Sequence, residues 1–147
     1  MIFLAWHGAR PLAWGPEVSM HLNAKLLEKL YADFARGDIP AVMGACDDKI
    51  TFQFPGKSRF AGKFTKADFP QKFLALLMEM TGGTLKLDVH DILASDRHAV
   101  ALATDRFERK GEKFELRTVH VWRFENGKPV AWYEYPRDLY YFDQVMS

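Results

Sequence analysis

The chain carries one cysteine, Cys46, in 147 residues, so it has no intrachain disulfide and no cysteine-based metal cluster. An excess of charge of either sign is also missing. Twenty Lys and Arg are mixed with nineteen Asp and Glu, for a net charge of +1. That balance gives no electrostatic case for nucleic acid or an anionic membrane as a partner. No apolar run approaches the roughly 20 residues needed to span a bilayer. The short one at the start, MIFLAW, has no basic residue before it. A glycine-rich phosphate loop and a serine in nucleophile-elbow context are both absent. The histidines, His7, His21, His90, His98 and His120, show no spacing suited to a metal ligand set. The sequence therefore predicts no metal, no cofactor and a cytoplasmic location.

Aromatic residues, in contrast, are plentiful, at 14% of the chain. The length fits one domain with a sizeable core. Residues 1–19 are set apart. Arg10, Pro11, Gly15 and Pro16 break any periodicity there, and Trp6 and Trp14 need something to pack on. Either this is an arm or it is an upstream extension, with Met20 the functional beginning. Ser19 is a candidate N-cap for a first helix whose stripe is Leu22, Leu26, Leu27, Leu30 and Phe34, stopped at Gly37. Asp38 can cap a short second helix with Pro40 in its first turn. KITFQFPG reads as a strand ended by Pro55-Gly56, and a third helix is predicted over about 66–81. Strands are predicted over 84–94, 98–109, 113–125 and 129–136, with turns at Ser95-Asp96, Lys110-Gly111 and Asn126-Gly127. A short helix or hook closes the chain. Helices first and an antiparallel meander afterwards make an α+β domain.

Alternation sorts the residues of the third of these strands. Phe114, Leu116, Thr118, His120, Trp122 and Phe124 share the core face, and Val119 and Val121 lie on the other. A two-residue turn at Lys110-Gly111 would set Ala101 opposite His120 and Ala103 opposite Thr118. Small residues beside a buried histidine leave room for a cavity. Asp105 shares the parity of Ala101 and Ala103 and so faces the same space near its rim. Val100, Leu102, Val119 and Val121 make an apolar centre on the outer face, rimmed by charge, which predicts a covering second subunit.

The series ARGD after the first helix, ITFQFPG, TGGTLKLDVHDIL, HVWRFENGKPVAWYEYP and a distal FD resembles the SnoaL-like branch of the nuclear-transport-factor-two-like superfamily. That branch includes polyketide cyclases and relatives of ketosteroid isomerase. The resemblance covers roughly residues 20–145 and implies a curved antiparallel sheet packed as a cone on three N-terminal helices. The cyclases work with a histidine on the penultimate strand and a carboxylate on the last, positions matched here by His120 and Glu134, although the usual acid is aspartate. Ketosteroid isomerases use a tyrosine on the first helix and an aspartate base before the strand-ending proline. Leu30 and Phe54 stand at those positions, which makes steroid isomerisation improbable.

His120 and Glu134 are thus the candidate catalytic pair, the carboxylate orienting the imidazole and raising its pKa. Gln53, Phe54, Ala101, Thr118, Trp122, Trp132 and Asp105 are candidate pocket-wall residues around an apolar small molecule. There is a local difficulty. A tight turn at Asn126-Gly127 sets Tyr133, not Glu134, opposite His120, and Glu134 points inward only if the hairpin carries a bulge or a longer loop. Three functions stay open at this point. They are a cofactor-free acid/base cyclase, isomerase or hydratase; a ligand-binding or carrier domain without chemistry; and a homodimerising association module.

Overall fold

A computed structural model describes residues 20–147, so the N-terminal arm, with Trp6, Trp14 and Ser19, lies outside the described residues. Helix α1, Leu22–Ala35, is capped by His21, whose ring accepts from the Asn23 amide at 3.1 Å. Its buried stripe is Ala24, Leu27 and Leu30, and Leu22, expected on that stripe, is exposed. Helix α2, Ile39–Ala45, begins as expected, with Asp38 accepting from the Ala41 amide and Pro40 in the first turn. The segment expected as one helix is a π-turn at Phe69–Phe73 running into α3, Leu74–Met80. Pro70 in the first turn of that segment has no amide hydrogen to give a helical ladder. A last helix, α4, Leu139–Val145, follows the sheet.

The six strands are β1 (Thr51–Phe54), β2 (Gly62–Thr65), β3 (Lys86–Ala94), β4 (His98–Arg109), β5 (Glu112–Glu125) and β6 (Lys128–Pro136). They form one sheet in the order β2-β1-β6-β5-β4-β3, antiparallel except where β1 meets β6. Strand β2, absent from the elements predicted from sequence, pairs with β1 from Thr51↔Thr65 to Phe54↔Gly62.

Two tight turns fix the meander. Lys110-Gly111 and Asn126-Gly127 have positive φ at both positions, 53° and 79°, then 50° and 75°. That is the backbone hand that matches strand twist in a two-residue hairpin. The first turn sets Arg109↔Glu112 and carries through to Ala103↔Thr118 and Ala101↔His120. The second begins in tight register, Glu125↔Lys128 and Phe124↔Pro129, and then slips to Arg123↔Ala131. Val130 is the extra residue. One added residue moves every later side chain of β6 to the opposite face. Beyond it the pairing is Trp122↔Trp132 and His120↔Glu134, and Tyr133 faces outward opposite Val121.

The concave face of the sheet closes over the helices. Phe52, Phe60, Phe69, Phe73, Trp122, Trp132 and Phe142 belong to one buried cluster with Leu27 and Leu30 of α1. Two polar devices seal its ends. Asp143 of α4 accepts from the amides of Lys57 at 2.9 Å and Ser58 at 3.0 Å, just past the Pro55-Gly56 turn. A side chain at Gly56 would collide with that carboxylate. Arg109 lies 5.1 Å from the centre of the Phe114 ring and donates to the carbonyls of Met80 and Val145, both at 2.9 Å. It thereby satisfies carbonyls at the ends of α3 and α4 that no helical amide reaches.

Candidate functional site

Strands β5 and β6 position the two central groups, and α1 lays a third across them. His120 and Glu134, each 4% exposed, are cross-strand partners on the concave face. His120 Nε2 stands 3.2 Å from Glu134 Oε2. The other carboxylate oxygen accepts a hydrogen bond from the Thr118 hydroxyl. On its far side the imidazole Nδ1 lies 2.7 Å from the Tyr31 hydroxyl oxygen, which also accepts from the Trp122 indole at 2.9 Å. The Tyr31 and His120 rings are stacked at 5.8 Å, and Trp132 leans on the imidazole at 4.9 Å. The result is a chain, Trp122–Tyr31–His120–Glu134–Thr118, whose donors point inward from both ends.

This chain borders an apolar cavity of about 90 Å³. That is space for several waters, in walls that give water few partners. Phe52, Phe54, Trp122, Trp132 and Leu30 are among its walls, and Tyr31, Asp105, His120 and Glu134 are its polar lining. Leu85 and Leu87 add to it near Asp105.

Burial and charge oppose each other here. Desolvation alone would lower the His120 pKa, but the charge and hydrogen bond of Glu134, with Asp105 adding, leave it raised. Asp105 is pushed up to about 7, mainly by burial and then by repulsion from Glu134. Burial drives the Tyr31 phenol far upward against the pull of the Trp122 and Trp132 indoles. The arrangement thus favours a proton on the imidazole, on the Asp105 carboxyl and on the phenol relative to the same groups in water. Among the described residues, no three His, Cys, Asp or Glu side chains converge as a metal-binding group.

The pocket-wall residues expected from sequence divide three ways. Phe54, Trp122, Trp132 and Asp105 line the cavity. Ala101 and Thr118 are on the same face but fully packed beneath the lining, Ala101 under His120 and Thr118 against Glu134. Gln53 is a correction. It alternates with Phe52 and Phe54, pairs with Tyr133 on the convex face, and donates to Thr51 Oγ1 at 3.1 Å. Tyr31 is the residue the sequence reading missed. The position taken for a first-helix tyrosine was Leu30, one residue early, although Tyr31 follows Leu27 by four and so shares its face.

The SnoaL-like domain family matches residues 27–132, and the chain belongs to that family. No curated protein matches it in sequence. Solved structures resemble it across most of the fold. Bal32a, from a soil-derived mobile gene cassette, is 27% identical at a TM-score of 0.77, with 86% of this chain and 97% of that one covered. TerC, crystallised with polyporic acid, is 20% identical at 0.74, with 86% and 100% covered. An NTF2-like protein from Burkholderia pseudomallei is 23% identical at 0.72, with 87% and 99% covered. These likenesses establish the α+β, cystatin-like cone. Among the described residues no helix is long and apolar enough to cross a membrane.

Proposed function

We propose that this SnoaL-like domain binds an apolar, flat small molecule bearing a carbonyl group and moves a proton on it without a cofactor. Cyclisation, isomerisation and hydration are the reactions that such a site can serve. One observation carries the reading: a histidine and a carboxylate 3.2 Å apart, both buried, at the wall of an aromatic cavity. Proton transfer to a carbonyl is favoured where fixed groups replace water around the reacting atoms. TerC, a structural neighbour, was crystallised with polyporic acid, which supports the reading that a domain of this fold serves a small molecule. The test is native mass spectrometry of the purified protein to identify a retained ligand, followed by turnover. His120→Ala and Glu134→Gln should abolish turnover with the fold intact. Turnover that survives both changes refutes the acid/base role.

A carrier without chemistry is the second reading, favoured by the engagement of both ring nitrogens of His120 within the protein. A ligand retained unchanged by the wild type supports it.

We also propose that the working unit is a homodimer joined through the convex face. Val100, Leu102, Val119 and Val121 are half-buried there, while Leu93 and Tyr135 are more than half exposed. A specific interface over them should bury about 1,200 Å² or more. Val121→Glu should shift sedimentation toward monomer, and a wild-type monomer at micromolar concentration refutes the dimer.

A further inference from the structure

We propose that the cavity takes an organic cation, an apolar amine whose ammonium group is held by Asp105. The proposal rests on the apolar-pocket reading above and adds a second polar group to that ligand. Asp105 is the lining carboxyl that the His120–Glu134 pair does not use. Among the described residues no hydrogen bond or ion pair acts on it, and no fully buried side-chain polar atom lacks a partner. Its carboxyl oxygens therefore open onto accessible space, and the space that Asp105 lines is the cavity.

Its place along the sheet sets it apart from the first pair. Asp105 is four residues beyond Ala101, which stands opposite His120. At about 3.3 Å per residue, the two positions are about 13 Å apart along the strand. Both neighbouring strands turn a leucine to it, Leu87 from β3 and Leu116 from β5. Arg109, a cation four residues on along the same strand face, is tied to the carbonyls of Met80 and Val145. The titratable groups that face Asp105 are Glu134 of β6, His120 of β5 and Tyr31 of α1.

Among the described residues no lysine or arginine lines the cavity, which carries two carboxyls to one imidazole. A neutral guest leaves Asp105 either ionised in an apolar wall or protonated. Burial and the charge of Glu134 favour the proton and push the carboxyl up to about 7. An ammonium takes the place of that proton, because it brings both the positive charge and the hydrogen-bond donor. Much of the remaining lining is aromatic, Phe54, Trp122 and Trp132 among it, and such rings attract a desolvated cation. The carboxyls and the imidazole do not converge as a metal-binding group, so the cation that fits is organic.

The probes are 2-naphthylmethylamine and 2-naphthylmethanol, which share an apolar ring system and differ by an ammonium in place of a hydroxyl. At about pH 8 wild type should bind the amine about tenfold more tightly, the worth of a charge-assisted hydrogen bond. Asp105→Asn should lose that preference and bind the alcohol as wild type does. A preference that survives Asp105→Asn overturns the assignment. Wild-type protein alone gives an independent reading if Asp105→Asn fails to fold. By reciprocity the Asp105 carboxyl, followed by its 13C shift, should titrate about one unit lower in the amine complex and no lower in the alcohol complex. A midpoint that saturating amine leaves in place overturns the proposal. If neither probe binds, the apolar pocket itself fails and this proposal falls with it. If the alcohol binds and the amine has no advantage in wild type, the pocket stands and the cation alone is refuted.

Discussion

The two faces of the sheet carry the same kinds of charged group in opposite circumstances. On the convex face Arg106 reaches Asp88 at 3.2 Å and Glu115 at 3.0 Å, and all three side chains are about half exposed. On the concave face His120 and Glu134 form a pair of similar length, with side chains 6% and 4% exposed. Water screens the first set, and such pairs contribute little. The second set has given up its hydration, so it needs every partner it has: Thr118 and His120 for Glu134, and Tyr31 and Glu134 for His120. Similar ion-pair distances therefore mean different things on the two faces. One face tolerates its charges and the other is organised around them.

The register of β6 keeps the two faces distinct, so inserting one residue after Ala131 should have the largest effect. With the Val130 bulge still in place, the added residue turns Trp132 and Glu134 outward and brings Tyr133 opposite His120. The insertion should cost more than about 4 kcal/mol, a large share of the stability of an ordinary domain. A protein whose thermal melt is unchanged, with His120 still paired to Glu134, contradicts the role given to that register.

Asp105 should give a smaller and pH-dependent effect. Its carboxyl is raised to about 7 in the folded chain and is ordinarily near 4 when unfolded. Stability from this group is therefore complete below about pH 4 and is lost as pH rises toward 7, after which the penalty is constant. His120 acts in the same direction. Its raised folded value makes its contribution complete below about pH 6.5 and lost as pH climbs through the folded value. Asp105→Asn should raise stability at pH 8 by on the order of 2 kcal/mol and change little at pH 4. Denaturant melts at the two pH values check this, and an equal effect at both contradicts it. Arg106→Ala, on the wet face, should shift the melting temperature by less than about 2 °C. A larger loss would show that the two faces are not so different.

The sequence predicted the fold well for a physical reason. The tight turn at Lys110-Gly111 and strict alternation along β5 fix register and face at once. The bulge is harder to read, because alternation and turn chemistry disagree over residues 126–134, and Val130 resolves the conflict by standing unpaired. Its trace in the sequence is the unbroken apolar run from Pro129 to Trp132, where alternation should have interrupted it. Tyr31 was missed because helical periodicity shows which side chains turn toward the sheet but not which strand residue each one reaches. The link between positions 31 and 120 is purely tertiary. The placement of Gln53 failed for a simpler reason, since in a strand the neighbour of a wall residue faces away from the wall.

The account's central claim is that Glu134 holds His120 as a buried, proton-carrying imidazole despite its desolvation. An NMR pH titration of the His120 ring in wild type and in Glu134→Gln tests it most directly. The account predicts a wild-type midpoint above the usual 6.5 or so, and a midpoint below that value once the Glu134 carboxylate is neutralised and only the weaker pull of Asp105 opposes burial. A wild-type midpoint below the usual value, or one that the substitution leaves in place, would contradict it.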